Sequence, residues 1–144
     1  HNIEERRYAF HMHITLEADY AVRIVACLAN KGERIDAKTI SDMTCVTLRF
    51  SLKILRKLVA SEIVKSFKGT QGGYELAKAP SEITLKQVVE TIEGTYMLNR
   101  CLDSCNPCSR GASGACKCQE AFKDISEVVN KKLEGYTFDM FIEK

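Results

Sequence analysis

Long apolar runs are missing from this chain. No stretch approaches the ~18 consecutive hydrophobic residues that would cross a bilayer, so no membrane span is expected. A secretory signal is also absent from view, and a cytoplasmic location follows as the expectation. Histidine is scarce: of three, His1 and His11 lie in an irregular leader, leaving His13 alone in the regular sequence. With no visible nucleophile–base pair beside it, a small redox or metal-dependent enzyme is disfavoured and no enzymatic activity is expected. Charge of one sign is not in excess either. The net charge is only +2, so a surface for a polyanion has to be local.

What is present is a 144-residue chain, 45% hydrophobic and 28% charged. Those are the proportions of one soluble globular domain with an appended element. Residues His1 to His11 (HNIEERRYAFH) precede Met12 without a start of their own and read as a tag or extraneous leader, with a frayed native arm as the alternative. Cysteine is abundant and odd in number. Five of the seven (Cys101, Cys105, Cys108, Cys116, Cys118) crowd into eighteen residues. A secreted disulfide framework would spread them out, so one dense cluster points to metal. Cys27 and Cys45 stand apart and read as buried thiols.

The most informative stretch is Thr47 to Pro80, TLRFSLKILRKLVASEIVKSFKGTQGGYELAKAP, with seven Lys/Arg against two Glu. At ~100° per residue, Leu48, Leu52, Leu55 and Val59 fall on one stripe of a helix, expected to be its buried side. Arg49, Lys53 and Arg56 form a second stripe, and Phe50 points almost opposite the leucines. A cationic ridge with an aromatic beside it suits a major groove. Arg49 and Lys53 are placed for guanine edges, Thr47 for phosphate or base, and Phe50 for a thymine methyl. Arg56, Lys57 and Lys68 are placed for phosphates, a solvated face being the alternative for Arg56 and Lys57.

The flanking sequence agrees. Ile14 to Asn30 predicts a core helix with Glu17 and Asp19 near its dipole-positive end. Lys31-Gly32-Glu33-Arg34 ends it, and Ile35 begins a short strand. Asp36 caps a short helix, Ala37 to Met43, with Ile40 and Met43 inward. Thr44 to Val46 make a tight connection, and Thr47 caps the basic helix: a helix-turn-helix pattern. A strand over Glu62–Phe67, a glycine-rich turn over Lys68–Gly73 and a strand over Tyr74–Ala77 predict a hairpin wing with Lys68 at its tip. Thr84 to Glu93 is an amphipathic helix with Leu85, Val88, Val89 and Ile92 inward. After the loop Asn99–Cys118, Phe122, Ile125, Val129 and Leu133 repeat at helical spacing, Gly135 stops that helix, and Thr137 caps a last turn holding Phe138 and Phe141. A helix so far from the winged head needs a surface, and a second copy of itself is the economical one.

These residues resemble one family, the IscR/NsrR-type winged-helix transcriptional regulators of bacteria. The carriers are MHITLEADYAVRI, LRFSLKILRKL, VKSFKGTQGGYELAKAP, the cysteine loop, and FKDISEVVNKKLEGYTF, together spanning Met12 to Lys144. The fold expected is mainly α with a small β wing. A winged helix-turn-helix domain would occupy 12–94, a cysteine-rich cluster-binding loop 95–118, and a long dimerisation helix with a C-terminal turn 119–144. The resemblance implies a homodimer on double-stranded DNA with a palindromic operator, and no membrane. It also implies an iron–sulfur cluster ([2Fe-2S] or [4Fe-4S]) held by Cys101, Cys108 and Cys116, with Cys105 a rival to Cys108.

Two departures bear on the fourth ligand. Where some relatives carry a histidine three residues after the third cysteine, this chain has Gln119. In the nitric-oxide-sensing branch the ligand is an Asp near the N-terminus of the other subunit, and the matching position is Asp19, with Cys105 or Cys118 as rivals and a dipole-placed carboxylate as the plainer reading. Glu62 also stands where relatives usually have a turn glycine. Thiolate spacing alone leaves zinc, or no native metal, open beside iron–sulfur. The expected function is a transcriptional repressor controlled by a cluster that responds to redox state, nitric oxide or iron–sulfur status. The alternative is a cluster-free regulator of sulfur or cysteine metabolism governed by a partner protein or metabolite.

Overall fold

The computed structural model describes residues 13–95, 98, 102, 111 and 116–143. The leader His1–His11 and the cysteines Cys101, Cys105 and Cys108 lie outside the described residues. The fold is mainly helical with one small antiparallel sheet.

Helix α1 (Leu16–Lys31) runs through the middle of the core, burying Ala18, Ala21, Ile24, Val25, Leu28 and Ala29. Thr15 starts it by accepting the Ala18 N–H at 3.2 Å, and Gly32 stops it with φ 63°, returning its N–H to the Leu28 carbonyl. Helix α2 (Ala37–Thr44) starts at Asp36, whose carboxylate takes the Thr39 N–H at 2.7 Å. That hydrogen bond holds the Asp36 carboxyl below its ordinary pKa. Only Ile40 and Thr44 of α2 are buried. Met43, expected inward, is half exposed, because the core-facing stripe of so short a helix is filled by those two.

Helix α3 (Leu48–Ala60) follows after Cys45, which takes the left-handed conformation (φ 56°) in the turn. Thr47 caps it by accepting the Phe50 N–H at 3.3 Å. The chain then turns at Glu62, also left-handed at φ 63°. Glycine is favoured at such a position because a Cβ crowds the following carbonyl there.

Strands β1 (Val64–Phe67) and β2 (Gly73–Leu76) pair with Val64 opposite Leu76 and Phe67 opposite Gly73. Ile35 bridges Tyr74 through two backbone hydrogen bonds, of 3.0 and 2.8 Å, so the wing is stitched to the connection between α1 and α2. Gly73 is needed there: at φ 150°, an added Cβ would stand 2.6 Å from the Ile35 carbonyl oxygen.

Helix α4 (Leu85–Glu93) opens with a reciprocal Thr84–Gln87 capping box and buries Val88 and Val89. Helix α5 (Lys117–Gly135) packs along α4 and has Ser126 as its one buried described residue. The chain then returns to the head. Phe138 N–H donates to the Ile83 carbonyl at 3.0 Å, Leu85 N–H to Tyr136 at 2.9 Å, and the Phe138 ring is fully buried in the core around α1. Asn30 fastens the end by donating to the Phe141 carbonyl and accepting the Glu143 N–H at 2.7 Å.

Candidate nucleic-acid interface

The side of α3 turned to the core carries Ser51, Ile54, Leu55 and Leu58. The expected stripe of Leu48, Leu52, Leu55 and Val59 is therefore rotated by roughly 80° from the true one. Leu55 is buried and Val59 half-buried, but Leu48 is 44% and Leu52 38% exposed. The leucines of this helix occupy two adjoining faces, and the core takes the face completed by a serine. Ser51 satisfies its buried hydroxyl by donating to the Val46 carbonyl at 3.4 Å. As a result Arg49, Lys53 and Arg56 lie near the centre of the solvent face, all exposed, with Thr47, Leu48, Phe50 and Leu52 exposed beside them. Leu48 and Leu52 are contact candidates that periodicity had assigned to the core. Exposed apolar groups on a groove-facing helix meet thymine methyls.

The cations of this face differ in partnership. Lys57, expected on phosphate, donates to Glu17 Oε1 at 2.8 Å, and Lys53 Nζ lies 3.7 Å from the same oxygen. The Lys57 hydrogen bond is the main reason that Glu17 titrates below the ordinary carboxylate value. Among the described residues no carboxylate is paired with Arg49 or Arg56. Phe50 rests edge-on against Tyr20 of α1, centroids 5.9 Å apart, and Lys53 Nζ stands 5.7 Å from the Phe50 ring centre.

The wing beside α3 exposes Lys65, Lys68 and Lys78. Its shape depends on Arg34, which sequence periodicity did not single out. The guanidinium stacks on Phe67, 3.3 Å from the ring centre, and Nη1 donates to the Gln71 carbonyl at 3.3 Å. Glu75 Oε1 lies 3.8 Å from its Nη2. One cation thus joins both strands and the loop carrying Lys68.

Of the residues considered for a metal, Cys101 and Cys108 lie outside the described residues. Cys116 occupies the N-cap position of α5 and is half-buried, and Cys118 is exposed in the first turn. Asp19 sits in the first turn of α1 and pairs with Arg23 at 2.8 Å, both side chains about half exposed. Among the described residues no three His, Cys, Asp or Glu gather as a metal site. The two isolated cysteines depart from expectation. Cys45 is exposed, because the left-handed turn swings it outward, and Cys27 is only half-buried, with burial pushing its thiol pKa up.

A capped helix-turn-helix, a cationic second helix and a pinned lysine wing define a winged-helix DNA-binding regulator. No helix among the described residues is long and apolar enough to cross a membrane. The chain belongs to the Rrf2 family, whose profile, that of an iron-dependent transcriptional regulator, matches residues 14–144. It is similar to the HTH-type transcriptional regulator NsrR of Oceanobacillus iheyensis, 26% identical over 135 residues, covering 92% of this chain and 90% of that one. In fold it is similar to CymR, the global cysteine regulator of B. subtilis, with TM-score 0.73 and 22% identity over 90% of this chain and 95% of that one. IscR of T. potens matches with TM-score 0.69 and 18% identity over 91% and 86%. The protein is accordingly a DNA-binding transcriptional regulator and not an enzyme.

Proposed function

We propose that this regulator is a repressor that binds a palindromic operator as a homodimer, and that an iron–sulfur cluster sets its affinity. Its organisation would be a DNA-reading head over 12–94, a cluster loop over 95–118 and a pairing segment over 119–144. Thr47, Arg49, Phe50 and Lys53 read bases or position the helix. Arg56, Lys68 and, once released from Glu17, Lys57 meet phosphates. The cluster ligands are Cys101, Cys108 and Cys116, with Asp19 of the partner subunit as the fourth.

The observation that carries the cluster reading is the placement of Cys116. It stands at the N-terminus of α5, where the positive end of the helix dipole suits an anionic sulfur. Cys101, Cys105 and Cys108 precede it in the sequence and Cys118 follows it, five cysteines within eighteen residues. This donor set fits a thiolate-bound group. When bound, such a group supplies a centre that oxidants or nitric oxide destroy. For such a group to shift DNA affinity, its presence would have to favour one dimer geometry over another. Asp19 is accessible for ligation, because an exposed i,i+4 pair with Arg23 costs only about 0–1 kcal/mol to break. Support for the homodimer comes from the outer face of α5, where Ile125 and Val128 are 43% and 55% exposed.

The cluster-free reading draws on Gln119, a poor ligand where the family resemblance implies histidine in some members. Anaerobic purification with iron and sulfide analysis separates the two. The expected outcome is iron-loaded protein whose iron and cluster-dependent DNA affinity are lost together in Cys101→Ala, Cys108→Ala and Cys116→Ala. Colourless protein that binds DNA equally with and without these cysteines establishes the cluster-free regulator instead.

A further inference from the structure

Glu17 is the one acid placed against the cationic side of α3 among the described residues, and it touches two of the four cations there. Its Oε1 accepts from Lys57 Nζ at 2.8 Å and stands 3.7 Å from Lys53 Nζ. The Glu17 side chain is 23% exposed, against 57% for Lys53. The α1 N-terminus does not need this carboxylate for its dipole, since Asp19 supplies another in the same turn. Arg49 and Arg56, with no carboxylate partner among the described residues, face outward beyond it.

Sequence-independent binding to duplex is almost wholly the release of counterions by protein cations, whereas sequence is read at base edges. An internal counter-ion therefore acts on the two unequally. We propose that Glu17 is a specificity-determining residue. It neutralises Lys57, tethers Lys53 beside Phe50, and so suppresses binding to arbitrary DNA while leaving Arg49 and Arg56 to act. A phosphate approaching Lys57 must displace the carboxylate and is repelled by it. The inference rests on α3 facing DNA and is independent of the cluster.

The test uses the full chain and a labelled random-sequence duplex of ~30 base pairs, titrated between ~0.05 and ~0.3 M KCl. Glu17→Gln steepens the fall of log K with log salt by about one to two, and raises affinity for random duplex at ~0.1 M salt by roughly tenfold. Glu17→Asp, which keeps the charge, stays near the parent. Adding Lys57→Met to Glu17→Gln takes back about one of the gained slope. Glu17→Met serves in place of Glu17→Gln should the latter lose its helical circular dichroism. Parent protein that binds duplex with an unchanged slope in the charge-removing variants overturns the inference alone. Parent protein with no affinity for any duplex overturns the DNA-facing reading of α3 itself.

Discussion

The winged head and helix α5 are held in different ways. In the head, four helix starts are capped by Thr15, Asp36, Thr47 and Thr84, and Ile35 pins the wing. Fully buried Ile24, Ile54, Leu55, Leu58, Ile83 and Phe138 share one cluster. Helix α5 is longer than any helix of the head, yet Ser126 is its only buried described residue, and that hydroxyl accepts the Leu98 N–H at 3.0 Å. Phe122, Val129 and Leu133 are half covered by the chain itself, while Ile125 and Val128 stay in solvent. With Phe138 returned into its core by the residues after α5, the head is closed. The arm presents a face whose inner half is used and whose outer half, Ile125 and Val128, is exposed, where the proposed second copy would pack.

The sharpest contrast between the regions comes from truncating each. Phe138→Ala removes a fully buried ring from the head and should cost about 3–5 kcal/mol, read as a large drop in melting temperature. Placing charges on the arm with Ile125→Asp and Val128→Asp should leave the fold of each chain intact. In the proposed dimer, an unpaired charge in the interface costs about 3–5 kcal/mol, on the order of a hundredfold or more in the dissociation constant by sedimentation. If those two changes unfold the head instead, the distinction between closed head and dependent arm is wrong.

Smaller effects sharpen the picture within the head. Arg49→Ala should lose roughly 1–3 kcal/mol of discrimination between bases while the melting temperature stays put, and Leu52→Ala should relax preference for thymine with equally little effect on stability. Leu52→Ala melting well below the parent would restore the leucine to the core. Glu17 supplies a pH signature. Its carboxyl titrates below the ordinary value of about 4.5, so the tie between α1 and α3 contributes fully above that value and is lost as pH falls through the lower, folded value. Parent and Glu17→Gln melting profiles should differ at neutral pH and converge in acid. A constant gap would remove the ion pair from the account. The smallest effect is a gain: Glu62→Gly relieves the left-handed backbone and should stabilise by up to about 1 kcal/mol, measured by denaturant unfolding.

Much of the head was legible because its signals are local. Asp36 and Thr47 cap the helices they were expected to cap, and the glycine-rich turn between two short strands announces the wing. What escaped depended on contacts remote in sequence. Phe138 looks like part of a terminal turn, and only the pairing of residues 83–85 with 136–138 shows that it completes the head's core. The α3 stripe was misjudged because two sets of leucines are equally periodic, and a buried serine, satisfied by the Val46 carbonyl, gives no hydrophobic signal. Arg34 and Glu17 were illegible as site residues for the same reason: their partners, Phe67 and Gln71 for one and Lys53 and Lys57 for the other, lie more than thirty residues away.

Hydroxyl-radical footprinting of the full chain, on a duplex that it selects from a random pool, bears most directly on a closed head carried in pairs by an incomplete arm. Two equivalent protected windows, related by a dyad and centred one or more whole helical turns of roughly 34–36 Å apart, are the predicted result. A single window without symmetry, produced by one chain, would contradict it.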